Sequence, residues 1–247
     1  MSQDFSKDYL KIKYKEIVAE YVKDKKGNNL DILNNLLLKG KNIRPLIFLN
    51  VVALKNKLRN IKNELVVAIE LLHCASLVID DLPCMDNDSI RRGEPTTHIK
   101  YGVSKAQLIA NRLIIDALNI IFKTCDNTCK NIVINQLKNA TLGQYYDIYN
   151  FEINNCDFII NEISFKINLK TAPFFNVAFI LAAFCLKDES NMKNNSDYYK
   201  PFIDVGNCFS SMFQICDDIE DYEKDKAKNH NMNHCIILGH KRTVELY

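Results

Sequence analysis

Apolar residues recur three and four positions apart along most of the chain, which is the mark of helices that each bury one face. This pattern predicts helices over about residues 8–23, 29–39, 43–57, 62–81, 103–124, 130–151, 157–186 and 194–221, with a short last helix near 239–246. Polar runs separate them, among them Lys23-Asp24-Lys25-Lys26-Gly27-Asn28-Asn29 and Lys187-Asp188-Glu189-Ser190-Asn191. None is long enough to link two domains, so residues 1–247 are expected to form a single all-α domain.

Two of the predicted helices share a design. From Leu65 to Ile79 nearly every position is apolar except Glu70, His73 and Ser76, and at about 100° per residue His73, Ser76 and Asp80 fall within about 60° of one another. Between Phe202 and Asp221 the polar residues Asn207, Ser211, Gln214, Asp218 and Asp221 likewise share one face. A polar stripe on an otherwise buried helix lines either a cavity or an internal hydrogen-bond network. Each stripe runs into a cluster of acids, Asp80-Asp81-Leu82-Pro83-Cys84-Met85-Asp86 and Asp217-Asp218-Ile219-Glu220-Asp221.

Carboxylates at the end of an apolar helix are costly unless a cation sits on them, so the paired clusters predict metal ions held between them and a diphosphate as the ligand of those metals. Asp217 and Asp221, four apart, lie about 40° from each other on one helix face, and with Asp218 they form a candidate magnesium site. Asp80 and Asp86 are six apart, which on a straight helix is about 120°. Pro83 removes a helical hydrogen bond and is expected to let the backbone bulge between Asp81 and Asp86. A solvated helix end is the alternative for either cluster alone. Arg91-Arg92-Gly93 follows the first cluster, Gly40-Lys41-Asn42-Ile43-Arg44-Pro45 precedes it, and Lys170-Thr171 follows a later apolar segment. Such cations either form surface ion pairs of little energetic value or, inside a cavity, clamp phosphate oxygens.

Composition narrows the classes. With 47% hydrophobic residues but only 7 Gly and 5 Pro, the chain has too few turn formers for a sandwich, barrel or doubly wound sheet. It holds no G-x-G-x-x-G and no P-loop. A net charge of +2 creates no field that draws nucleic acid, so any anion must be met locally. The apolar runs are broken well before membrane-spanning length and the N-terminus lacks an apolar signal core, so no membrane span and a soluble, cytoplasmic protein are expected. Nine scattered cysteines read as small core residues of a reducing compartment, and Cys125 and Cys129 lack zinc spacing.

The segment DDLPCMDNDSIRRGEPTTH, with GKNIRP before it and GQYYD, LKTA and FQICDDIED after it in that order, resembles the trans-isoprenyl diphosphate synthases, closest to the geranylgeranyl diphosphate type. The resemblance runs from roughly residue 36 to 240. It implies an isoprenoid-synthase helical bundle around a deep central cavity. It also implies a homodimer, two or three Mg2+ per active site, and two substrates, isopentenyl diphosphate and an allylic diphosphate.

Carried over by position, Asp80, Asp81, Asp86, Asp217, Asp218 and Asp221 would hold magnesium. Lys41, Arg44, His73 and Arg92 match isopentenyl diphosphate anchors, and Arg91 and Lys170 match allylic diphosphate contacts. Thr171 and Gln214 would line the reacting centre, and Lys226 corresponds to a lysine beyond the second acid motif. Ala75 and Ser76, five and four residues before the first aspartate, would set chain length. The methyl group of Ala75 leaves the tunnel open, so geranylgeranyl or a longer product is expected over farnesyl.

The chain also departs from the family. Lys39 and Asn42 stand where it has Gly and Arg, Asn111-Arg112 replaces a Gly-Asp, and no clean Gly-Lys-Asp follows Asp221. The chain stops at Tyr247, before most members do, so helices that help cover the site are expected to be missing. These departures favour, as alternatives, a noncatalytic or regulatory subunit of a prenyl diphosphate synthase. A class I terpene cyclase shares the first acid motif but carries N/D-x-x-S-x-x-x-E in place of the second, which this chain lacks. A di-iron bundle would need a second E-x-x-H besides Glu70-Leu71-Leu72-His73.

Overall fold

The computed structural model of the chain describes residues 6–23, 30–55, 57–58, 61–149, 169–187, 196–227 and 233–246. They fold as helices, joined in one place by a short β-ribbon. In chain order the elements are α1 (Lys7–Lys23), α2 (Leu30–Leu38), α3 (Ile43–Ala53), α4 (Asn63–Asp80), β1 (Ile90–Arg91), β2 (Glu94–Pro95), α5 (Thr97–Tyr101), α6 (Val103–Thr124) and α7 (Asn127–Ile148). There follow α8 (Ala172–Leu186), a 3₁₀ turn at Ser196–Tyr199, α9 (Lys200–Glu220), α10 (Tyr222–Ala227), α11 (His234–Leu238) and α12 (His240–Leu246). Of the helix expected over 157–186, residues 157–168 lie outside the described residues.

The residues group into two compact units. The first comprises Met1–Val133 and Val177–Ser196. Its centre is α4, packed most extensively on α6 and also on α1, α2 and α3. Leu65, Val66, Leu71, Cys74 and Ala75 of α4 are almost wholly buried, so the near-continuous apolar run of this helix reflects burial on all sides. Small residues on α6, Ala106, Ala110 and Ala117, are fully buried and let the two helices approach closely. Pro45 is tolerated because it falls in the first turn of α3, where its missing N–H would be unpaired anyway. That helix ends at Ala53, four residues earlier than expected.

The second unit comprises Ile134–Asn176 and Asp197–Tyr247. Here α9 packs on α11 and α12, which pack on each other. Gly206 of α9 lies against Asn176, close enough that a Cβ would overlap the Asn176 side chain. Gly143 of α7 does the same against the Leu169–Lys170 backbone, which brings the GQYYD and LKTA segments together. Among the described residues no helix is long and apolar enough to cross a membrane.

Candidate active site

The first acid cluster is built by a helix end. α4 stops at Asp80, and the chain turns so that the Asp86 N–H donates to the Asp80 carbonyl at 2.9 Å and the Asn87 N–H to the Leu82 carbonyl at 3.1 Å. Asn87 closes the turn in the left-handed region, φ 53°. The straight-helix offset between Asp80 and Asp86 is therefore resolved by ending the helix, not by a bulge within it. Leu82, 1% exposed, anchors the turn by packing with Val78, Ala106 and Ala110.

The RRG segment is the tip of the ribbon. Arg91 pairs with Glu94, and the two residues between them, Arg92 and Gly93, have φ of 55° and 77°, as a type I′ hairpin turn demands. Glycine meets that demand without strain, whereas Arg92 adopts it at a cost. The hairpin returns Arg91 to the acid turn. Its Nε donates to Asp81 Oδ1 at 2.5 Å, and its Nη2 lies 3.6 Å from Asp88. Burial of Asp81 raises its pKa, and Arg91 offsets that only in part. The Arg92 guanidinium donates to the Lys39 carbonyl and lies against Gly40, whose φ of 122° and missing Cβ make the room. Glu94 bridges Lys39 and Lys100, and these two ammonium groups lower its pKa to about 2.

Arg44 and His73 also meet. The Arg44 Nη1 donates to His73 Nε2 at 3.1 Å. Burial, aided by the charges of Arg44, Arg92 and Arg91, holds the His73 pKa well below its ordinary value, so the ring is neutral and can accept. Lys41 is exposed on the segment leading into α3. Ser76 is partly exposed and donates to the His73 carbonyl, while Ala75 has no exposed surface. A recess of about 90 Å³ in this unit is lined in part by Lys39, Asp81, Arg91, Arg92 and Lys100.

In the second unit the stripe of α9 is a hydrogen-bond network. Asn176 Nδ2 donates to Asn207 Oδ1 at 2.8 Å and to Gln136 Oε1 at 3.0 Å. Further along, Thr171 Oγ1 donates to Gln214 Oε1 at 3.5 Å, and Gln214 Nε2 donates to Asp218 Oδ1 at 2.8 Å. The other oxygen of Asp218 accepts from the backbone N–H and the Nδ1 of His234, at 2.9 and 2.6 Å. Lys170 Nζ is 2.5 Å from Asp147, the last residue of GQYYD. Lys226 is exposed on α10, its ammonium 5.5 Å from the ring of Tyr222 one turn back.

Sequence reasoning missed Asp147 and His234. Asp147 was visible in the quoted motif, but its pairing is made across 23 residues. His234 opens a helix of five residues, too short to show a periodic pattern.

Magnesium, which the family resemblance implies, can be tested against these groups. Among the described residues no three His, Cys, Asp or Glu side chains converge to hold a metal. Asp81 and Asp218 are buried and engaged by Arg91 and His234, whereas Asp80, Asp86, Asp217 and Asp221 are partly or fully exposed. That distribution fits Mg2+, which takes one or two carboxylates and completes its shell with water and phosphate oxygens.

Comparison with known proteins agrees with the motifs. The sequence model of the polyprenyl synthetase family matches residues 29–234. Geranylgeranyl pyrophosphate synthase 10, mitochondrial, of Arabidopsis thaliana is 31% identical over 206 residues, covering 78% of this chain and 57% of that protein. Geranylgeranyl diphosphate synthase of Pseudescherichia vulneris is 30% identical over 213 residues, covering 82% of this chain and 66% of that protein. The chain thus spans between half and two thirds of the length of these relatives. A geranyltransferase of Helicobacter pylori, solved with magnesium and isoprenyl diphosphate, superposes with a TM-score of 0.69 at 22% identity, covering 96% of this chain and 85% of that one. That likeness shows an isoprenoid-synthase fold. With the acid turn, the basic hairpin and the GQYYD–LKTA pairing all falling within the matched stretch, the chain belongs to the polyprenyl synthetase family.

Proposed function

We propose that the chain is a trans-prenyltransferase. It condenses isopentenyl diphosphate with an allylic diphosphate (dimethylallyl, geranyl or farnesyl) and releases geranylgeranyl diphosphate or a similar all-trans prenyl diphosphate, together with inorganic diphosphate. The observation that carries this reading is the basic hairpin set against the acid turn that ends α4, where Arg91 donates to Asp81 and Arg92 to the Lys39 carbonyl, with Arg44 bonded to His73 of the same helix. Guanidinium groups held in fixed positions beside a carboxylate cluster suit the oxygens of a diphosphate. The two relatives named as geranylgeranyl synthases support the product class.

In this reading Arg44, His73 and Arg92, with Lys41, hold the isopentenyl diphosphate. Arg44 is oriented by its bond to His73, and Arg92 by the Lys39 carbonyl. Lys170, steadied by Asp147, meets the allylic diphosphate, and Thr171 and Gln214 line the reacting carbons. As the allylic C–O bond breaks, charge grows on the diphosphate and is met by fixed cations that need no reorganisation. The isopentenyl double bond attacks the allylic carbon, and the proton lost afterwards passes to the departing diphosphate. Apolar walls keep water from the allylic cation. Exposed carboxylates of each acid motif, Asp80 and Asp86 in one and Asp217 and Asp221 in the other, would hold magnesium, which would supply Lewis-acid stabilisation of the leaving group. An exposed apolar row on α6, Leu108, Ile115 and Phe122, supports the homodimer.

The replacement of the family's arginine by Asn42 favours a second reading, a noncatalytic partner of a synthase. One assay separates them. Purified protein is given magnesium, labelled isopentenyl diphosphate and each allylic primer, and the products are sized. Elongation that Asp80→Ala abolishes and Asp217→Ala weakens supports the synthase. A cyclic hydrocarbon from the allylic substrate alone indicates a cyclase, and no product from any primer indicates the partner.

A further inference from the structure

Asp218 sits in a family metal motif, yet its surroundings are those of a structural anchor. It is 4% exposed, and both carboxylate oxygens are engaged by donors from this chain, Gln214 on one side and His234 on the other. Its own carbonyl accepts from Asn233 Nδ2 at 2.8 Å, while Asn233 Oδ1 caps α11 by accepting from the Cys235 N–H at 2.8 Å. Asn233 and His234 are themselves 1% and 6% exposed. Three hydrogen bonds therefore fasten the start of α11 to one residue of α9, and the same residue fixes the amide of Gln214. With Gln214 Nε2 committed to Asp218, its Oε1 is the atom left to face Thr171.

We propose that His234 is a positioning residue. It clasps Asp218, Asp218 orients Gln214 toward Thr171, and contact with metal in the second acid motif is left to Asp217 and Asp221. The proposal rests on the prenyltransferase reading for its kinetic consequence but not for its structural one. The ordering of Gln214 requires a donor at the position of His234 Nδ1, and Asn is the side chain whose Nδ2 reproduces it.

The test uses the full chain with His234→Ala, His234→Asn, Asp218→Ala, Asp218→Ala/His234→Ala and Asp217→Ala. The metal-free melting temperature should fall by about 5–10 °C in His234→Ala and in Asp218→Ala, with the double variant no worse than Asp218→Ala alone, and should be largely restored by His234→Asn. In turnover, His234→Ala should lower kcat by roughly tenfold, with both KM values and the magnesium requirement within about twofold of wild type. Asp217→Ala should raise the magnesium requirement by about tenfold or more without a comparable melting shift. The proposal is overturned if Asp218→Ala keeps the wild-type melting temperature while raising the magnesium requirement as Asp217→Ala does. Equal behaviour of His234→Ala and His234→Asn overturns it too. Should the wild type not turn over at all, the prenyltransferase reading fails by itself. The clasp is then judged by the thermal cycle, and additive losses at Asp218 and His234 refute it.

Discussion

Asn42 Nδ2 donates to Glu70 Oε1 at 3.0 Å, and the same nitrogen reaches the Leu37 carbonyl at 2.9 Å. A neutral amide, held in the left-handed region at φ 47°, thus serves a carboxyl that has no exposed surface. Asparagine tolerates that backbone better than arginine would. Its side chain is turned inward and leaves the N-terminus of α3 without a side-chain cap. Burial raises the Glu70 pKa, and the charge of Arg44 and the bond from Asn42 counter that only in part. Its second oxygen is buried with no hydrogen-bond partner, as suits a neutral acid.

A pH dependence follows from Glu70. Its folded pKa lies above the ordinary 4.5, so its contribution to stability is fully present below about that pH and is lost as pH rises through the folded value. Glu70→Gln has no proton to lose. Urea denaturation across the acid-to-neutral range should therefore show the wild type losing ground to Glu70→Gln as pH rises, and a constant difference would contradict a buried neutral acid.

His73 gives the opposite sign. Its folded pKa lies well below 6.5, so the stability it contributes is present above that pH and is lost as the pH falls toward the folded value. The wild type should weaken relative to His73→Gln, which keeps an acceptor for Arg44, between about pH 7 and pH 5. The imidazole proton shifts should stay those of a neutral ring at pH 6, and a midpoint near the ordinary value would refute the neutral assignment.

Gly143 joins two motifs by having no side chain. A methyl group there would overlap the backbone of Leu169 and Lys170, and backbone cannot swing aside as a side-chain tip can. Gly143→Ala should cost about 2–3 kcal/mol and loosen the Lys170–Asp147 pair. Thermal denaturation beside Lys170→Ala separates the two effects, because loss of the partly exposed ion pair alone should cost much less.

Ala75 of α4 has no exposed surface, whereas Ser76 is partly exposed. Ala75→Phe should therefore destabilise by about 1–3 kcal/mol through overpacking. If Ala75 is also the floor under the growing chain, the product should shorten by about one isoprene unit, since each unit spans roughly one helical turn. An unchanged product size from folded variant would place the floor elsewhere.

The sequence alone determined the helices and the chemistry at their ends. α6 runs from Val103 to Thr124, the range that its apolar spacing predicts, because that signal is contained within the helix itself. The acids, the RRG and the two polar stripes were legible for the same reason. Strands of two residues carry no readable period, so the ribbon that aims Arg91 was invisible, as were the short helices α5, α10 and α11. Tertiary structure alone decided which acid meets which base. Asp81 finds Arg91 ten residues away, Asp218 finds His234 at sixteen, and Gln214 finds Thr171 at forty-three. Local patterning fixes which face a side chain occupies, but a buried carboxylate settles on whichever donor the folded chain brings within reach, and that depends on packing far along the sequence.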